Sequence, residues 1–328
     1  MSNFNVNINV DEILTQKDKE TFVPTKTVFN EKNYLQARLA KGETSKELTI
    51  RLLPFSPDGG SPFKKIHMHV VKVNKEVSQS GWKTFPCPTK NHLGEKCPFC
   101  MTSEQARDLK GKALNEIEKK KYNEMEYTFS AKEWWVVRCI ERGHEDEGVK
   151  FWIFPHSKKR NGVWDKIINI FQTRYNKSIA QGGPINNIFD LNDGKDLIIS
   201  LSKDQNDKTA INITDDDSKR PLSTDYELAE SWLNDTKKWN EVYTVKSFDY
   251  MSIIVGGGVP VFSKEENKYI DKSEKEKRDK EEKEEIENNL SRNNVDLSTP
   301  TQIYGNDINV NNNNISYNSF DEDDDIPF

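Results

Sequence analysis

Strand alternation of apolar and polar residues, or the apolar composition of a buried strand, marks Glu47–Pro54 (ELTIRLLP), Ile66–Val73, Glu133–Ile140, Val149–Phe154, Asp196–Ser202 and Thr209–Thr214, with Gly, Pro and Asn between the runs. A period of two sends successive side chains to opposite faces, so the pattern predicts a strand-rich body over residues 31–262. Helical spacing predicts helices over Cys100–Met125, Val163–Tyr175 and Tyr226–Trp239. Outside the body the pattern fades. Residues 1–30 read as a polar arm with a short helix near Asp11–Gln16. Residues 263–320 read as a charged and Asn-rich disordered linker. Its first part, Lys264–Arg292, has the i,i+4 charge pairs of a solvated helix but no apolar face.

The composition fits that division. The 328 residues have a mean hydropathy of −0.85 and 31% charged side chains, too polar for a chain packed throughout. The net charge of −6 hides an asymmetry. Residues 63–160 hold 20 Lys and Arg against 13 Asp and Glu, whereas residues 263–328 hold 9 against 18. A polyanionic partner for the body is therefore compatible with the acidic total. No apolar run reaches the length of a membrane span, and the opening MSNFNVNINVDEIL lacks the regions of a signal peptide. The expectation is an intracellular chain without membrane contact, whose four cysteines are not structural disulfides.

Three cysteines form the sharpest constellation, Cys87-x9-Cys97-x2-Cys100. The Cys97-Pro98-Phe99-Cys100 knuckle lets two thiolates converge on one ion as ligands of a tetrahedral structural zinc site. The fourth donor is open among three histidines. His67 and His69 project from one face of the strand IHMHVVKV, and His92 lies inside the Cys87–Cys97 loop. A redox CxxC would explain neither Cys87 nor the histidines. Cys139, in WWVVRCI, reads as a buried core thiol.

Cations alternate with aromatic rings through the same region. Lys64, Lys65, Lys72 and Lys83 lie among Phe63, Trp82 and Phe85; Lys132 and Arg138 flank Trp134 and Trp135; Tyr127 precedes Lys132; Lys158, Lys159 and Arg160 follow Phe154. Binding single strands without sequence preference needs this combination, cations along the backbone and rings under the bases. The competing reading places many of these rings in the core, and of Trp134 and Trp135 only one can face inward. No P-loop, nucleotide-binding glycine motif or nucleophile triad is present, so the chain reads as non-catalytic. The only compact acidic cluster of the body, Asp215-Asp216-Asp217, sits in the turn-like run INITDDDSKRPLS. A zinc-dependent nuclease or primase accessory, and a zinc-module protein adaptor, are the alternatives.

The last eight residues run from Asp321 through Glu322, Asp323, Asp324 and Asp325 into the apolar Ile326-Pro327-Phe328. The acids repel one another and keep the segment extended, while solubility alone requires neither Ile326 nor Phe328. This ending resembles the C-terminal tip of bacterial single-stranded DNA-binding proteins, which recruits replication, recombination and repair proteins.

Residues 47 to about 170 resemble the core of the T-even phage single-stranded DNA-binding protein family. The matches occur in the family's order: Thr49–Pro54, Pro62-Phe63 followed by His69, the Cys87/Cys97/Cys100 spacing, and Phe151–Ile168 with its KKR and VWDKI. The resemblance implies an α+β fold, with a strand-rich OB-fold barrel, flanking helices and a zinc-binding subdomain over about 62–130. It also implies one structural Zn2+ held by His69 rather than His67, and a helix-destabilising role on single-stranded DNA in the cytoplasm of an infected bacterium. Self-association on DNA belongs to the family through a basic N-terminal arm, but Met1–Leu14 here has no Lys or Arg.

Overall fold

The computed structural model describes residues 33–40, 42–54, 60–94, 96–157, 162–182, 188–205 and 207–293. The expected arm over 1–30, the cations Lys158, Lys159 and Arg160, and the tip 321–328 lie outside the described residues.

Seven antiparallel strands form the main sheet. They are β1 (Ser45–Leu52), β2 (Phe63–Lys72), β3 (Trp82–Pro86), β4 (Lys132–Glu141), β5 (Lys150–Pro155), β6 (Gly194–Lys203) and β7 (Thr209–Arg220). Their order is β3-β2-β4-β1-β6-β7. Strand β4 forks the sheet: along one edge it pairs first with β2 (Met68↔Lys132 to Phe63↔Val137) and then with β1 (Leu52↔Cys139). Its other edge carries β5. Among the described residues β3 and β7 do not pair with each other, so the sheet is open and the expected closed barrel is not formed by these pairings.

Each predicted strand appears, because each has apolar side chains to bury, on both faces over most of β4 and β5. Leu48, Ile50 and Leu52 of β1 lie beside Leu197, Ile199 and Leu201 of β6 and Val137 and Cys139 of β4. The helix α3 (Val163–Ala180) covers this face with Val163 and Ile167. Gly162 donates its backbone N–H to the Asp165 carboxylate at 2.9 Å and starts that helix. On the opposite face Leu53 and Ile140 pack with Leu222 and Trp232. Trp232 comes from α4 (Tyr226–Leu233), which is capped by Asp225 and followed by the short α5 (Trp239–Val242). Asp196, fully buried, holds Arg51 at 3.0 Å and Arg142 at 2.9 Å, so its own buried charge is compensated.

Four expectations need correction. The helix expected over Cys100–Met125 is two helices, α1 (Pro98–Lys112) and α2 (Glu116–Phe129). Asn115 breaks it by accepting a hydrogen bond from the Glu118 N–H, and Glu118 in turn accepts one from the Leu114 N–H. The helix expected over Tyr226–Trp239 stops at Leu233. Asp215–Asp217 belong to β7 rather than a turn, paired to Arg174, Lys195 and Arg220. Finally, residues 263–293 are not disordered. A hairpin of β8 (Pro260–Ser263) and β9 (Lys268–Asp271) leads into α7 (Lys272–Asn293), whose i,i+4 ion pairs include Arg278–Glu274 and Lys280–Glu284.

Candidate metal centre and its surroundings

The end of the sheet at β2 and β3 is closed by its own core. Val71, Phe85, Cys87, Cys97 and Phe99 pack with Met251 and Ile254 of α6 (Phe248–Val255). Pro98 opens α1, where a missing N–H costs nothing, and this turn carries Cys97 and Cys100 to the same point. Cys87 arrives from the end of β3, and His69 from the middle of β2 beside Phe85.

The four donor atoms lie within 4.8 Å of one another. His69 Nε2 is 3.2 Å from Cys97 Sγ and 3.7 Å from Cys100 Sγ, and the Cys87 and Cys100 sulfurs are 3.5 Å apart. An ion with bonds of about 2.3 Å to sulfur and about 2.1 Å to nitrogen sets its donors about 3.6–3.8 Å apart in a tetrahedron. The cluster fits that edge length and is far too open for a disulfide, and all four cysteines are free. His69 Nδ1 lies 2.9 Å from the Phe129 carbonyl. That contact requires a proton on Nδ1, which leaves the Nε2 lone pair facing the thiols. Without a cation the thiols resist ionising together. Hydrogen bonds from Cys100 and Cys97 depress the Cys87 pKa, while contacts with Cys100 and Cys87 and burial push Cys97 far up, and the Cys87 contact and burial push Cys100 to about 11. A bound cation removes that conflict.

His69, Cys87, Cys97 and Cys100 therefore can hold one metal ion, and they are the only such His, Cys or carboxylate group among the described residues. His67 and His92 are not part of it. Both line a separate cavity near the other end of β2. The aspartates at 215–217 bring no metal cluster either, since cations neutralise them.

The expected nucleic-acid residues separate by burial. Lys83, Phe85, Trp134, Arg138 and Phe154 are each less than a tenth exposed and are withdrawn from any contact surface. Phe85 packs in the metal module, Phe154 in the main core, and Arg138 donates to the Trp232 and Asp235 carbonyls. Trp134 is the buried ring of its pair, on the face opposite Val137 and Cys139, with an indole N–H that finds no partner among the described residues, whereas Trp135 packs against the main core. Trp135 is the half-buried neighbour. It stacks on Trp164 of α3 at 5.2 Å and 9°, donates its Nε1–H to His156 at 3.0 Å, and lies under the Lys65 ammonium at 5.3 Å. Lys65 also meets Glu133 at 3.3 Å.

Lys64, Lys72, Trp82 and Tyr127 are exposed, and Lys132 sits 3.7 Å over the Tyr127 ring. Strand alternation puts Lys65 and Trp135 on one face, and Lys64, Lys72 and Trp82 on the other, so the exposed residues do not share one surface. Sequence reasoning did not single out His156, which Trp135 contacts, or Lys90, Lys238 and Trp239, which distant segments bring to the cavity lined by His67 and His92. No protein-family model matches this chain, and no curated protein matches it. Among the described residues no helix is long and apolar enough to cross a membrane.

Proposed function

We propose that this protein is a zinc-containing, non-catalytic single-stranded DNA-binding protein that coats transient single strands. One observation carries the reading: β2 holds a metal donor, His69, and four residues earlier holds Lys65 over a Trp135–Trp164 stack. A cation above paired rings offers a phosphate contact and a surface for a base, and base–aromatic stacking contributes about 1–3 kcal/mol per base. Fixing one end of the strand with a metal fixes the other. Zinc suits the site because three thiolates and one imidazole are its usual structural donor set, and four protein donors leave no open position for catalytic water.

The resemblance to the T-even phage family supports the same reading, including work in the cytoplasm of an infected bacterium. The acidic ending with Ile326, Pro327 and Phe328 supports recruitment of replication, recombination and repair proteins. The exposed Lys72, Trp82 and Tyr127 and the half-buried Lys132 offer further contacts, and the cations Lys158, Lys159 and Arg160 lie by sequence between β5 and α3. Titration of metal-loaded protein with labelled oligo(dT) and with duplex of equal length, at two salt concentrations, tests the proposal. Single strands should bind far better and with marked salt dependence. Equal affinity for both forms at moderate salt would sink it.

A further inference from the structure

A cavity of about 420 Å³ lies between the loop that follows β3 and the segment leading into α5. Its floor is apolar, with Ile66 and Trp239 both buried. Its rim carries Lys64, Lys65, Lys90, Lys238, His67 and His92, and no acidic side chain is among the residues that line it. Glu133, the ion-pair partner of Lys65, is outside the lining.

The wall is built rather than incidental. β3 stops pairing at Pro86, opposite Met68, and the loop takes over its edge. The Cys87 N–H donates to the His67 carbonyl at 2.9 Å. The Asn91 side chain then bonds both backbone groups of His67, accepting from its N–H at 2.8 Å and donating to its carbonyl at 2.7 Å. Alternation aims the Lys65 N–H at the same edge. His92 is held at φ 56°, a left-handed conformation that costs energy for a residue with a Cβ and that clusters at ligand sites.

We propose that this cavity seats one nucleotide unit of a single strand, its phosphate against the lysine rim and its sugar and base over Ile66 and Trp239. The inference rests on the single-strand reading above and assigns that reading a second contact. A bare anion would need only the rim, whereas an apolar floor under a basic rim matches both halves of a nucleotide. Lysines supply charge without base selectivity, as a coating protein requires.

The test uses the full, metal-loaded chain. In the double variant Lys90→Ala/Lys238→Ala the slope of log affinity for oligo(dT) against log salt should shrink by about 0.7 per lysine. The double variant Lys208→Ala/Lys219→Ala, outside the lining, should keep the wild-type slope. In the wild type, thymidine 3′,5′-bisphosphate should shift the ring resonances of His67 and His92, and the Lys90→Ala/Lys238→Ala variant should lose that response. Metal content and circular dichroism establish that the variants fold. A wild-type slope in the cavity variant, or no bisphosphate response at His92, overturns the cavity while leaving single-strand binding standing. Failure of the wild type to bind oligo(dT) would instead remove the reading beneath it.

Discussion

Replacing Cys97 with Ser should empty the metal centre and open only the part of the molecule built around it. The Cys97 sulfur is 3.2 Å from His69 Nε2, and a serine hydroxyl there is a poor ligand for a soft donor set. A metal present at a thousandfold excess over its dissociation constant stabilises the folded form by about 4.1 kcal/mol, so its loss should raise local opening about a thousandfold. The packing that remains limits the damage. Phe99 keeps its contacts with Phe85 at 5.3 Å and Phe129 at 6.0 Å, and each fully buried side chain of that size contributes about 1.5–3 kcal/mol. The main core, on α3 and β6, shares none of these side chains. Elemental analysis should therefore show metal falling from one per chain to none. Hydrogen exchange followed by mass spectrometry should accelerate about a thousandfold across residues 82–129 and stay unchanged across 194–220. Cys139→Ala should destabilise the body but keep its metal. Full metal in the Cys97→Ser protein, or equal acceleration in both regions, would refute the reasoning.

The two adjacent tryptophans should separate cleanly: Trp134→Ala should lower stability by about 3–5 kcal/mol in denaturant titration. Trp135→Ala should weaken oligo(dT) binding by about 1–3 kcal/mol in fluorescence titration, and equal effects of the pair in both assays would contradict the assignment. Burial alone would lower the Lys150 pKa, but hydrogen bonds to Glu141 and Glu147 hold it above the ordinary value. A raised pKa stabilises the fold fully below the unfolded value of about 10.4 and loses that contribution as pH rises through the folded one. Lys150→Met should cost about 3–5 kcal/mol at pH 7.5 by stranding the carboxylates, and should flatten the alkaline fall in melting temperature. Deleting Asp321–Phe328 should tighten single-strand binding at low salt by removing competing carboxylates, where the Debye length is about 30 Å. Deleting Phe328 alone should abolish partner capture with little change in DNA affinity, and retained capture would count against the tip.

Sequence by itself determined the six strands, since a period of two, or a short apolar run such as VKFWIF, leaves a segment few ways to bury itself. It marked two of the four metal donors for a local reason: Cys97-Pro98-Phe99-Cys100 is a turn whose geometry is set by four residues. It did not separate His67 from His69 by periodicity, because both lie on one face of β2. That choice depends on where α1 and the end of β3 arrive, and the packing of distant segments brings Cys97 and Cys100 to His69. β3 itself escaped notice because five residues, WKTFP, are too short to show a period. The same limit hid the burial of Trp134, Lys83 and Arg138. A strand's pattern says that one face is covered, but only the helices laid across the sheet decide which face is dry and which cation finds a carbonyl beneath them. The cavity beside His67 joins residues 64 and 240. No local pattern reports such a meeting, because it exists only once β2, the metal loop and α5 are packed together.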